Sequence, residues 1–489
     1  MDGDASNVVF VVMDTVRKDR LSVYGYDRET TPELERVAAE SAVFEQAVAP
    51  APWTLPVHAS LFTGLYPGEH GATQEDPYLS GTTTLAESLS AAGHATACYS
   101  SNAWITPYTR LTAGFDAQDN FFEIMPGEFL SGPLANAWQR INDSPRLRSV
   151  ADRLVELGNA VHERFASGEG ADSKTPQVID RTIEFIDAHE EYFAFINLMD
   201  AHLPYYPPAE YREQFAPGVD PDDVCQNSKE YNAGARDIDG AEWEAIRGLY
   251  DAEIRHIDAE LGRLFAWMRE HDEWEDTLVV VCADHGELHG EHGLYGHEFC
   301  IYDPLVNVPL LVKHPDLGTG RRGDQVELLD LYHTVLDHAG VEAGGKPLDP
   351  GRSLLSPEYR DFEGAEHAFV EYYRPVVELQ QLESKAAAAG IDLDPESRFY
   401  SRMRAGRRPD AKYIRNERLP DEFYRLDEDP GETDDRHGAG DPAESALAEA
   451  LRAFEARTGA EWGDVGEGDV LEDMSETAQD RLRDLGYLE

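Results

Sequence analysis

Three short apolar runs each end in an aspartate: Val8–Met13 before Asp14, Tyr192–Met199 before Asp200 and Leu278–Ala283 before Asp284. Nearly continuous β-branched stretches of this length predict strands covered on both faces, as in a parallel sheet. Helical periodicity separates them, over Pro32–Val43, Thr84–Ala92, Thr175–His189 and the long Ala241–Glu270 stretch. Ala95–Tyr99 and Val308–Val312 predict further strands. Alternating strands and helices make an α/β sheet, whose ligands gather where the strands end, so all three aspartates fall on one functional edge. After Gly340 the texture changes. Short alternating runs at Ala368–Tyr373, Tyr400–Arg404, Ala411–Arg415 and Glu422–Leu426 predict a smaller antiparallel sheet, followed by helices over Ala443–Arg457 and Ser475–Gly486. The division expected is a catalytic α/β domain over 1–345, with an insertion at about 121–173, and a C-terminal α+β subdomain over 346–489. Asp220–Gly240 reads as an acidic loop.

Charge narrows the range of partners. The 489 residues carry 95 Asp and Glu against 42 Lys and Arg, a formal net charge of -53. Such an excess of carboxylates repels phosphate backbones and anionic lipid, which disfavours nucleic acid and membrane surfaces as partners. Self-repulsion on this scale is best tolerated in concentrated salt, so a salt-adapted host is expected. The 41% of hydrophobic residues is ample for a core, and no run is long enough to span a bilayer. Cys98, Cys225, Cys282 and Cys300 lack metal-finger spacing, and free buried thiols in a cytoplasmic protein are expected.

Candidate chemistry clusters at the strand ends. Asp284-His285-Gly286 supplies a carboxylate and an imidazole, with a glycine that allows close backbone approach, and Asp14 adds a second anionic oxygen for a divalent cation. Thr54 lies two residues before Pro56, which favours a first helical turn; its hydroxyl would then sit where amide dipoles favour an anion, although threonine is also an ordinary helix cap. Asp200 and His202, two apart, would share a face at a strand end. His289, His292 and His297 follow in a loop rich in Gly and Glu.

Taken together these motifs resemble the sulfatase family of the alkaline phosphatase superfamily. Asp14-Thr15-Val16-Arg17 with Tyr24-Gly25-Tyr26 is similar to its opening, and Thr54-Leu55-Pro56-Val57-His58 with Leu61-Phe62-Thr63-Gly64 occupies its signature. His202-Leu203-Pro204-Tyr205, Ala283-Asp284-His285-Gly286-Glu287, Val308-Pro309-Leu310 and the segment Phe423–Glu432 continue the match in order. The resemblance implies a three-layer α/β/α alkaline phosphatase-like sheet with the smaller antiparallel subdomain, and a hydrolase of sulfate or phosphate esters. It also marks departures. Thr54 stands where sulfatases oxidise Cys or Ser to formylglycine, an aldehyde threonine cannot give; His58 replaces the signature arginine, and Thr15 the second aspartate. A directly acting threonine resembles phosphoglycerol transferases and phosphodiesterases of the superfamily, which keeps phosphodiester hydrolysis or phospho-group transfer open; a catalytically silent glycan-binding relative is a third reading. The expected site comprises one divalent cation (Ca, Mg or Mn, with Zn possible) on Asp14, Thr54, Asp284 and His285, with Thr54 as nucleophile, His202 and His297 as catalytic partners, and His58, Asn102, His202 and His297 against the substrate. A two-metal variant would add a second cation on Asp200, His202 and His297. The substrate expected is a small anionic ester, on a sulfated or phosphorylated glycan or lipid head group.

Overall fold

A computed structural model describes residues 7–74, 76–120, 173–342, 349–359, 366–458 and 462. The 121–172 part of the expected insertion and the Ser475–Gly486 helix lie outside the described residues. The main sheet is built from β1 (Asn7–Met13), β2 (Ala42–Val48), β3 (Ala95–Ser100), β4 (Ala117–Asn120), β5 (Tyr192–Leu198) and β6 (Thr277–Cys282). A hairpin of β7 (Leu288–His289) and β8 (Tyr295–Gly296) precedes β9 (Asn307–Lys313) and β10 (Gly320–Glu327), which complete it. The strand order is β10-β2-β9-β6-β1-β5-β3-β4. β1, β5 and β6 are buried along their whole lengths, as runs without alternation require.

The three runs that end in aspartate pair parallel as expected, and two details of the sheet go beyond the sequence pattern. The sheet is mixed, because β9 pairs antiparallel with both β2 and β6. Between β6 and β9 the described helices are short, and the chain turns back at the edge it left; without a crossover helix the returning strand must run antiparallel. The Pro32 helix ends at Ala38, and Ala42-Val43, read as its last turn, open β2. β-branched and aromatic residues there take the strand that the core offers.

The remaining strands, β11 (Ala368–Tyr372), β12 (Met403–Arg408), β13 (Ala411–Asn416) and β14 (Glu422–Tyr424), form a separate antiparallel sheet in that order. The Pro442–Thr458 helix packs against β12 and β13. A buried ionic cluster fastens this sheet to the main one: Arg407 and Lys412 meet Asp303 at 2.7 and 3.1 Å, Lys412 meets Glu432 at 2.9 Å, and Arg407 reaches Gln46 of β2 at 2.7 Å. A further helix, Val376–Ala389, leaves β11 and lies toward the edge of the main sheet where β1, β3, β5 and β6 end. All four cysteines are free and buried.

Candidate active site

At that edge Asp14 follows β1 and Asp284 follows β6, each without solvent exposure. Their oxygens are only partly satisfied. Asp14 Oδ2 accepts from Asn102 Nδ2 at 2.8 Å and Asn197 Nδ2 at 3.1 Å, and Asp284 Oδ1 accepts from the backbone N–H groups of His285 (2.9 Å) and Thr15 (3.3 Å). Asp14 Oδ1 and Asp284 Oδ2 have no hydrogen-bond partner. His285 Nδ1 donates to the Gly286 carbonyl at 3.0 Å, so Nε2 is the free lone pair, and it lies 3.4 Å from Asp284 Oδ2 and 4.0 Å from Asp14 Oδ1. Burial, reinforced by the Asp14 charge, pushes the Asp284 carboxyl well up, and burial pushes His285 well down. Two unpaired buried carboxylate oxygens facing a neutral imidazole nitrogen would be costly as they stand, and this donor set fits a divalent cation.

The tight backbone around these ligands has visible causes. Thr15 adopts φ 58, unusual for a β-branched residue, and its hydroxyl turns away from the ligand set to within 2.7 Å of the Ala201 carbonyl. Tyr250, from the Gly240–Glu270 helix, holds the bend: its hydroxyl donates to the Thr15 carbonyl at 2.7 Å and accepts from the Arg17 N–H at 2.8 Å. Gly286 is required, since a Cβ there would sit 2.0 Å from the Pro304 carbonyl oxygen.

Thr54 is the first residue of the Thr54–Thr63 helix, capped by Trp53 without any side-chain cap bond, so its hydroxyl is not spent on capping. Thr54 Oγ1 accepts from Asn102 Nδ2 at 3.3 Å and lies 3.5 Å from His285 Nε2. Asn102 therefore bridges Asp14 and the hydroxyl. Thr54, Asn102, His202 and His297 all line one cavity of about 270 Å³. His202 Nδ1 donates to the Leu203 carbonyl at 2.6 Å, and its ring centre lies 5.2 Å from that of His297. His297 Nδ1 lies 3.3 Å from Glu287 Oε1; against the effect of burial, the charges of Glu287 and Glu298 push this imidazole up to about 9, so it is cationic at neutral pH.

Other candidates fall elsewhere. His58 is wholly buried, its Nδ1 donating to the Thr54 carbonyl at 2.9 Å and lying 3.7 Å from Asp284 Oδ2, and it does not line the cavity, so direct substrate contact is corrected to a place beneath the ligands. Burial pushes its imidazole down to about 4, so an uncharged ring stands at this position at neutral pH. Asp200 does not face His202: β5 ends at Leu198, a turn follows, and strand alternation no longer holds. Its carboxylate accepts from Thr175 and lies 3.6 Å from His256, which withdraws it from the suggested second cation. His289 bonds to the Tyr205 hydroxyl at 3.0 Å, and His292 stacks on Tyr302. Residues the sequence reading passed over are Asn197, Glu287, Gln74, Lys229, Glu298 and Glu378. Asn197, a lone amide inside a fully buried strand, and Lys229, one of seven lysines, carried the clearest signals.

A family model for sulfatases matches residues 6–341. The chain belongs to the sulfatase family. With the family comes an enzyme that hydrolyses sulfuric or phosphoric ester bonds. Among curated relatives, this sulfatase-family chain is 27% identical to the multifunctional alkaline phosphatase superfamily protein PehA of Trinickia caryophylli, over 90% of this chain and 92% of that one. It is 24% identical to an arylsulfatase of Clostridium perfringens, over 75% and 82%. Among solved structures, the phosphonate monoester hydrolase of Agrobacterium radiobacter superposes with a TM-score of 0.65 at 21% identity, covering 92% of this chain and 96% of the other. The structural match shows that the fold, with its central sheet and small antiparallel sheet, is shared with that hydrolase.

Proposed function

We propose that this protein hydrolyses sulfate or phosphate esters with the unmodified hydroxyl of Thr54 as nucleophile. The observation that carries the reading is the position of Thr54 Oγ1, uncommitted as a cap, between Asn102 and His285 and beside the two unpaired carboxylate oxygens. Asp14, Asp284 and His285, with the Thr54 oxygen, would hold one divalent cation. Bound there, it supplies positive charge that lowers the hydroxyl's pKa and offsets an anionic ester. Asn102 orients the Thr54 oxygen. The amides opening the helix and the cationic His297 face the oxygens of the transferring group. Thr54 Oγ1 gives up its proton to solvent and forms a bond to sulfur or phosphorus as the bond to the alcohol oxygen breaks, and His297 or His202 protonates that oxygen. Water then releases the ester from Thr54. Ca²⁺, Mg²⁺ and Mn²⁺ suit the oxygen-rich donors, and His285 leaves room for Zn²⁺.

Further assignments belong to the same reading. Residues 1–345 would form the catalytic domain and 346–489 a subdomain that covers its cavity. A net charge of -53 supports a salt-adapted host, and four buried free thiols support a cytoplasmic location. A sulfated or phosphorylated glycan is supported by solved relatives such as one bound to D-glucosamine-2-N,6-O-disulfate, which superposes with a TM-score of 0.67 at 18% identity and covers 95% of this chain and 100% of that one.

Elemental analysis and assays on aryl sulfate, phosphate monoester and phosphate diester test the mechanism together. About one metal per chain is expected, with turnover lost in Thr54→Ala and retained in Thr54→Ser. Turnover undiminished in Thr54→Ala would exclude the threonine nucleophile, and two metals per chain would exclude the single-cation site.

A further inference from the structure

Beyond the ligand set, the cavity has a wall of residues that form or break no bond in the hydrolytic mechanism. Lys229, Glu298 and Glu378 line it, and Trp53 and Trp104 line the same cavity. Their charges do not balance. Lys229 pairs with Glu298 Oε1, while Glu298 Oε2, on a side chain only 4% exposed, has no hydrogen-bond partner. Glu378, two residues after Val376 in the helix that closes the cavity, accepts from its own backbone N–H and from the neutral amide of Gln74, whose Oε1 is held by the Val377 N–H at 2.9 Å. His297 faces Glu287 instead. Among the described residues that line the cavity Lys229 is the one lysine or arginine, and with His297 set against Glu287 it stands alone against the carboxylates of Glu298 and Glu378. Burial raises the Glu378 carboxyl, Lys229 opposes that, and the Glu298 charge adds to it, as expected where a second cation is missing from the balance.

Resting on the ester-hydrolase reading, we infer that this wall is the leaving-group subsite and that it takes an ester whose alcohol carries an ammonium group. The two carboxylates would offset that charge, and Trp53 and Trp104, packed edge to face with 5.5 Å between ring centres, line the same cavity and offer apolar cover to the carbons of the alcohol. Hydrolysis would then release an amino alcohol and inorganic sulfate or phosphate, with water supplying the oxygen left on the acid and the proton gained by the alcohol.

The test compares 2-aminoethyl sulfate with ethyl sulfate, and O-phosphoethanolamine with ethyl phosphate, on the full chain loaded with a divalent cation; the two pairs separate sulfate from phosphate as the acid. The ammonium ester is expected to be favoured in kcat/KM by about tenfold or more, one good ionic contact. In Glu378→Gln the ratio should fall below about threefold. Calorimetric titration with ethanolamine, against ethylene glycol as control, reads the subsite without turnover and decides the matter even if the variant does not fold. Thr54-dependent hydrolysis with no ammonium preference and no ethanolamine binding would overturn the subsite. Ethanolamine binding with no turnover of any ester would instead sink the hydrolase reading and leave the subsite standing.

Discussion

Replacing Tyr250 by Phe removes one oxygen and leaves the ring in place. That oxygen serves two buried backbone groups, the Thr15 carbonyl and the Arg17 N–H, at 2.7 and 2.8 Å. Each, once unpaired, costs about 1–3 kcal/mol. Thr15 at φ 58 also stores strain of about 1–3 kcal/mol that persists only while its surroundings enforce it. The chain can recover part of the loss by letting Thr15 relax, so the net destabilisation expected is about 2–4 kcal/mol. Relaxation has a consequence at the site, because the Thr15 N–H would leave Asp284 Oδ1 and the carboxylate would lose its orientation. Metal affinity should therefore fall together with stability. Differential scanning calorimetry with and without Mn²⁺ reads both: at fixed metal concentration each tenfold loss of affinity removes about 1.4 kcal/mol of metal-dependent stabilisation. A variant that loses stability but keeps the full metal-dependent increment would refute the link from Tyr250 through Thr15 to Asp284. A variant that loses less than about 1 kcal/mol would refute the strain argument itself.

Other perturbations follow from the same geometry. Gly286→Ala must displace the Pro304 carbonyl or His285, and metal content should drop well below one per chain by elemental analysis while circular dichroism stays native. Asp284→Asn should abolish metal binding yet raise the thermal midpoint of the metal-free protein, because it removes a buried charge facing Asp14; a lowered midpoint would contradict that repulsion. Glu291 is opposed by burial, but the Arg17 charge at 2.7 Å holds its carboxyl down at about 2. A depressed carboxylate contributes stability above its unfolded value, near 4.5, and loses it as pH falls toward 2, so Glu291→Gln should flatten the acid limb of the stability curve across that window, measured by thermal melts. Chelation of the metal followed by readdition should restore activity, and Thr54→Ser should regain it under the same treatment.

The parts of the site that sequence could locate are those written into local pattern. Asp14 and Asp284 were legible because a fully buried strand tolerates no carboxylate, so the first one met marks its end; the same logic overreached at Asp200, where the chain turns after Leu198 and alternation no longer decides which way a side chain points. β2 was hidden because Ala42-Val43 extend the helical pattern from Pro32 as well as they begin a strand, and only the partners β9 and β10 settle the choice. Thr15 turns its hydroxyl to the Ala201 carbonyl, and its use of a strained backbone to aim an N–H at Asp284 depends on Tyr250, more than 200 positions away. The cavity's far wall was beyond reach for a different reason. Gln74, Lys229, Glu298 and Glu378 carry no motif and come from separate stretches of chain; Lys229 pairs with Glu298, and the Val376–Ala389 helix holds Glu378 beside Gln74. Chemistry common to the family thus sits where strands end and can be read from local pattern. The cavity's far wall sits where the helix that follows β11 docks, and packing brings its residues together.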